Sequence, residues 1–146
     1  MLTTRYSMSL LVLSSLFASP CALAHGENPP AAPVGETVEV IANAAIPHTP
    51  GKRLVSNIVE YAPGGRSVSH RHAGSAFIYA YVLSGAVRSQ VDDEPVRVYR
   101  AGESWFESPG AHHRVSANAS DTAPARLLAV FIVDVGDDPL TVPDPE

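Results

Sequence analysis

The chain has 146 residues and a net charge of −5, with ten Lys and Arg against fifteen Asp and Glu. No basic cluster exceeds Gly51-Lys52-Arg53, which argues against a nucleic-acid partner, because a phosphate-tracking surface needs clustered cations. The single cysteine, Cys21, leaves no internal disulfide, iron–sulfur cluster or Cys-zinc knuckle to be built.

Residues 1–24 read as a signal peptide. Arg5 supplies the positive start, Met8 to Phe17 an apolar run, and Ala22-Leu23-Ala24 the small-x-small site for cleavage. The run is about half of the roughly twenty residues needed to span a bilayer, so it does not read as an anchor. The expected mature protein starts at His25, carries no thiol and a net charge of −6, and is periplasmic or secreted with no membrane contact after cleavage. Its 122 residues suffice for one compact core. His25 could chelate copper through its amine and ring, but residues 25–36 are rich in Pro, Ala and Gly and read as a flexible tether. The domain is expected over 37–146.

Within it, short apolar runs alternate with turn signals every eight to twelve residues, the pattern of an all-β sandwich or barrel. The expected strands are Thr37 to Ala44, Arg53 to Tyr61, Ser67 to His72, Phe77 to Leu83, Ala86 to Val91, Val96 to Tyr99, Ser104 to Glu107, His113 to Ser116 and Arg126 to Val135. Leu140 to Val142 is a candidate edge strand. Ala62-Pro63-Gly64-Gly65, Ser84-Gly85, Asp92 to Pro95 and Ser108-Pro109-Gly110 are the principal turn signals. Phe77 to Leu83 and Leu127 to Val133 are apolar on both parities, as strands buried on both sides would be. Eight or nine short strands fit a small jelly-roll β-barrel of two packed sheets.

Alternation along a strand sends His70 and His72 to one face and Ser69 and Arg71 to the other, so the two imidazoles can reach one ion. Gly64 to His72, followed by Tyr81 to Gly85, resembles the first motif of the cupin superfamily, G-x5-H-x-H-x3-4-E-x6-G. With sixteen residues intervening after Gly85, Gly102 to His113 resembles the second, G-x5-P-x-G-x2-H-x3-N. The departures are specific. The first motif's Glu falls on Ala76, Phe77 or Ile78, none of them acidic, and Asn118 lies five positions after His113 rather than four.

The resemblance implies a small single-domain cupin with a divalent metal on His70, His72 and His113. Some three-histidine cupins are iron dioxygenases, so the resemblance favours Fe²⁺; neutral imidazoles equally suit Zn²⁺, Ni²⁺ and Cu²⁺, and Mn²⁺ is less favoured without the acidic ligand. Glu103 and Glu107 read first as solvated carboxylates, although either could supply the missing oxygen. His112 reads first as an outward surface residue, with a substitute or supporting ligand as the other reading. His48 reads as a loop residue. Arg88, Arg97, Arg100 and Arg114 are solvated residues or anion contacts, and Tyr79, Tyr81, Trp105 and Phe106 are core or cavity candidates. Three functions stay open: a metal-dependent, oxygenase-like enzyme on a small organic molecule, a non-catalytic protein that binds a small molecule or metal, or a barrel without metal binding that acts through its surface. Some cupins pair as homodimers through edge strands, which makes a second copy a candidate partner.

Overall fold

The computed structural model describes residues 32–145, and the expected signal peptide lies outside them. The described residues form ten strands and no helix: β1 (Val34–Ala45), β2 (Lys52–Arg66), β3 (His70–His72), β4 (Phe77–Ser84), β5 (Ala86–Val91), β6 (Arg97–Arg100), β7 (Ser104–Glu107), β8 (His112–Asn118), β9 (Ala125–Asp134) and β10 (Thr141–Pro143). All pairings are antiparallel and fall into two layers, β1-β2-β9-β4-β7 and β10-β3-β8-β5-β6. They join where Arg66, at the end of β2, pairs with Ala117 of β8. This is the jelly-roll barrel expected from the turn spacing.

The connection between layers is not a turn. β2 runs through Ala62-Pro63-Gly64-Gly65 and bends from one layer to the other. Gly65 makes this possible, because a Cβ there would stand 2.6 Å from the Gly35 oxygen and 2.8 Å from that of Ala62. β1 likewise begins at Val34, within the stretch expected as a tether. The β4–β5 connection, which passes from one layer to the other, turns at Gly85, whose φ is +71° and whose Cβ would collide with the Pro124 oxygen at 2.6 Å.

Alternation organises the core. Val55, Asn57, Val59 and Tyr61 of β2 face inward, as do Ile78, Ala80 and Val82 of β4, Trp105 and Glu107 of β7, and every second residue of β9 from Ala125 to Val133. The outer faces of β4 and β9 are not covered as expected, since Phe77, Leu83 and Ile132 are exposed and only one parity is packed. The buried apolar side chains form two clusters, one around Tyr61, Val82 and Trp105 and the other around Val55, Ile78 and Phe131. Each large aliphatic or aromatic member adds roughly 1.5–3 kcal/mol by leaving water. Between the clusters, the cross-strand row Asn57, Ala129 and Ala80 has short side chains. That row leaves a cavity of about 180 Å³.

Candidate metal centre

β3 pairs with β8 so that His70 stands opposite His113 and Arg71 opposite His112. Alternation then turns His70, His72 and His113 into the cavity, where one nitrogen from each lies within 4.8 Å of the others. The ring centroids are 4.8 Å apart for His70 and His72, and 5.3 Å for His70 and His113. His70 Nδ1 is 2.7 Å from the Val68 carbonyl oxygen, which fixes the ring with its Nε2 lone pair free. His113 Nε2 is 2.9 Å from Ser89 Oγ, and its Nδ1 faces a carboxylate. Burial pushes the His113 pKa down to about 4 against the opposing charge of Glu107, and burial also lowers that of His70. Burial thus favours the neutral form of both rings, the form that coordinates a metal, and His113 keeps it well below neutral pH.

The carboxylate is Glu107, which the sequence suggested as solvated. It is 3% exposed. Its Oε2 lies 2.9 Å from His72 Nε2, its Oε1 lies 3.5 Å from His113 Nδ1, and the Trp105 indole N–H donates to Oε1 at 3.0 Å. Burial alone would raise its pKa, but His72, His113 and Trp105 together outweigh burial and hold it below the usual carboxylate range. The residue directly across from Glu107 on β4 is Ile78. That is one of the positions where the first motif would have carried its acid. A carboxylate on the neighbouring strand thus stands opposite a β4 position that lacks one. The sequence signal was its parity with Trp105 on β7, an acid on the apolar face.

Glu103 conforms to expectation, exposed and accepting from the Arg100 amide. His48 is exposed in the β1–β2 turn. The four arginines are exposed, none lines the cavity, and Arg114 instead donates to Asp92 and Asp93. Tyr79 and Phe106 lie on the outer face of the barrel with rings 5.2 Å apart, and Phe106 is 63% exposed.

The spacing anomaly after His113 has a structural cause. Opposite Gln90 and Val91 of β5, β8 presents Val115 and His113, so Arg114 is the extra residue of a β-bulge. The bulge resets the parity, and both His113 and Ser116 face the cavity. It also delivers Asn118 to a buried position, 1% exposed, where its amide donates to the Ala62 and Ala123 carbonyls. His112 points away from the cavity as expected, yet it is buried, not a surface residue. Its Nε2 lies 2.7 Å from Asp144 Oδ2 and 3.1 Å from Ser69 Oγ, which fastens the segment following β10 over it.

A divalent ion fits the donor set on one observation. His72 Nε2 and Glu107 Oε2 are both buried and lack a partner in hydrogen-bond geometry although they are 2.9 Å apart. Two donors at right angles on an ion with bonds of roughly 2.1 Å would stand about 3.0 Å apart, so a shared ion accounts for a pair that is close but misaligned. The widest spacing in the histidine set, 4.8 Å, exceeds that, and small side-chain rotations would close the difference.

The cupin domain profile matches residues 57–131. No curated protein sequence matches the chain. Among solved structures, an oxalate oxidase in complex with the substrate analogue glycolate is similar at 23% identity and a TM-score of 0.56, over 86% of this chain and 62% of that one. Rru_A2000 from Rhodospirillum rubrum, a cupin-2 domain, is similar at 18% identity and a TM-score of 0.58, over 92% and 82%. KdgF from Halomonas sp. gives 21% and 0.53, over 70% and 83%. At these identities the likeness concerns the fold.

Proposed function

Since the chain belongs to the cupin family, we propose that its barrel holds one divalent metal ion on His70, His72, His113 and Glu107 and acts as an exported, metal-dependent, oxygenase-like enzyme on a small organic molecule. The observation that carries this reading is the buried, misaligned pair of His72 Nε2 and Glu107 Oε2 beside two further imidazoles. With a carboxylate in the set, Fe²⁺ remains the first candidate and Mn²⁺ gains on the softer-ligand metals, because oxygen donors suit it. Bound there, the ion would supply Lewis acidity and, if redox-active, electrons for chemistry with oxygen.

The chain's own residues do the rest. The Val68 carbonyl, the Ser89 hydroxyl and the Trp105 indole orient His70, His113 and Glu107 respectively, so the donors are held before an ion arrives. Val59, Leu127 and Phe131 line the cavity with apolar surface, which excludes water from around a bound ligand. At about 180 Å³ the cavity resembles those that take a benzene ring, about 150 Å³. An oxalate oxidase of this fold holds glycolate, which supports a ligand of that scale.

The test is metal content and oxygen uptake of the mature protein without a His-tag, reconstituted anaerobically with Fe²⁺ and then exposed to oxygen with phenolic, thiol and keto-acid compounds. Stoichiometric metal and uptake, both lost in the His70→Ala, His72→Ala double variant, are expected. Equal metal in both proteins would remove the site, and ligand binding without uptake would make the protein a binder. Export is checked by intact mass: secreted protein that retains Met1 would contradict cleavage after Ala24.

A further inference from the structure

One end of the cavity is polar in a particular way. Glu36, on β1, accepts a hydrogen bond from Ser67 Oγ. Tyr61 Oη lies 2.7 Å from Ser67 Oγ and 2.7 Å from Ser116 Oγ. An ionised carboxylate only accepts, and this sets the direction of the whole chain. Ser67 gives its proton to Glu36, Tyr61 gives its proton to Ser67, and Ser116 donates to the Tyr61 oxygen. Burial, against the lowering effect of the Ser116 and Ser67 hydrogen bonds, pushes the Tyr61 pKa up to about 12, so the phenol keeps its proton. Every hydroxyl proton in the chain is spent inside the wall. Ser116, Ser67 and Glu36 all line the cavity, and with those protons engaged their oxygens are left to accept.

Asn57 adds to the same wall. It is 9% exposed, it interrupts the inward ladder Val55, Asn57, Val59, Tyr61 with an amide, and its Oδ1 is buried with no hydrogen-bond partner. A buried acceptor left unpaired is destabilising, and it persists where a ligand completes it. No Lys or Arg lines the cavity; apart from the metal-site histidines, Thr141 adds a hydroxyl able to give or take, and the Asn57 amide is the other polar group.

We propose that the part of the cavity bounded by Glu36, Asn57, Ser67 and Ser116 is a subsite for a hydrogen-bond donor, so that the ligand is a small monocarboxylic acid bearing a hydroxyl or ammonium group away from its carboxylate. The carboxylate end of this assignment rests on the metal centre proposed above, while the donor end rests on the wall itself. A dicarboxylate would set its second charge against Glu36 with no cation to receive it, and is rejected.

Isothermal titration of the zinc-loaded protein with 4-aminobutyrate, 4-hydroxybutyrate and succinate tests this, because the three share one carboxylate and differ at the far group. The two donors are expected to bind at least about tenfold tighter than succinate, and Glu36→Gln is expected to bring the ammonium compound down to the level of the hydroxyl compound. Succinate binding as tightly as the donors, or an unchanged ranking in Glu36→Gln, would overturn the subsite. Butylamine, which has no carboxylate to offer a metal, separates the two proposals. Its binding is expected to survive removal of zinc and to weaken in Glu36→Gln, and absence of butylamine binding in both metal states would overturn the subsite whatever the metal content proves to be. Asn57→Leu is expected to raise the thermal midpoint while weakening all donor probes. A lowered midpoint with unchanged binding would make Asn57 a packing residue and remove it from the subsite.

Discussion

His112 and His113 are chain neighbours, both buried, and they serve opposite sides of one strand. His113 faces inward, its charged form disfavoured by burial, between Ser89 and Glu107. His112 faces outward beneath the segment after β10, where Asp144 and Ser69 meet its ring. Asp144 is held below the usual carboxylate range by hydrogen bonds from Ser69 and His112. The difference teaches that burial of a histidine does not identify a ligand. What distinguishes His113 is convergence with His70, His72 and a carboxylate whose Oε2 has no hydrogen-bond partner.

The comparison is most strongly tested by removing each ring in turn. His113→Ala should weaken metal binding by a hundredfold or more in a chelator competition, about the loss of a direct donor, while His112→Ala should change it by less than about threefold. Comparable losses in the two variants would erase the distinction between the faces of β8.

A second effect separates the inner ring by pH. The metal-free fold holds His113 neutral down to about pH 4, whereas an unfolded histidine takes its proton near pH 6.5. The unfolded state therefore binds the extra proton first as pH falls. Stability contributed by keeping His113 neutral is present above pH 6.5 and is lost between 6.5 and 4, by about 3 kcal/mol in all. Glu107, depressed below its usual range, loses its contribution in the same acid direction. Urea unfolding at pH 7 and pH 4 measures the drop, and His113→Gln should flatten most of it. A profile of the same slope in that variant would place the acid sensitivity elsewhere.

The smallest effect concerns the outer face. β10 pairs with β3 through Thr141 and His72, the Asp144 amide donates to the Ser69 carbonyl, and the Ala73 amide donates to the Leu140 carbonyl. Asp144→Asn should speed hydrogen exchange at the amides of Ala73 and Asp144 while shifting the thermal midpoint by only about one or two degrees. Unchanged exchange would mean that the pairing of β10 needs no fastening by His112.

Much of this architecture was legible before any coordinates. Turn residues marked the strands, and the spacing of two placed His70 and His72 on one face. The parts that were not legible share a cause, which is that they depend on cross-strand register. Glu107 is thirty-five residues from His72 in the chain, and only the pairing of β4 with β7 puts it opposite Ile78. Its parity with Trp105 pointed inward, yet an acid at that parity reads as solvated until the donors around it are known. The extra residue between His113 and Asn118 was visible as a mismatch, and its meaning as a bulge emerged only against β5. Ala62 to Gly65 carried every turn signal and still ran as strand, because the glycines there permit close backbone approach. His112 had the right direction, but its partner Asp144 comes from the acidic tail, which no local pattern connects to it.

In the proposed site Glu107 replaces, from a neighbouring strand, the carboxylate absent from β4. A crystal structure of the metal-loaded protein tests it most directly, with the ion located by its anomalous scattering. The account predicts a Glu107 carboxylate oxygen at a bonding distance of about 2.0–2.3 Å from an ion that is also held by His70, His72 and His113. An ion on the three histidines with both Glu107 oxygens beyond about 3 Å and water in that position would contradict it.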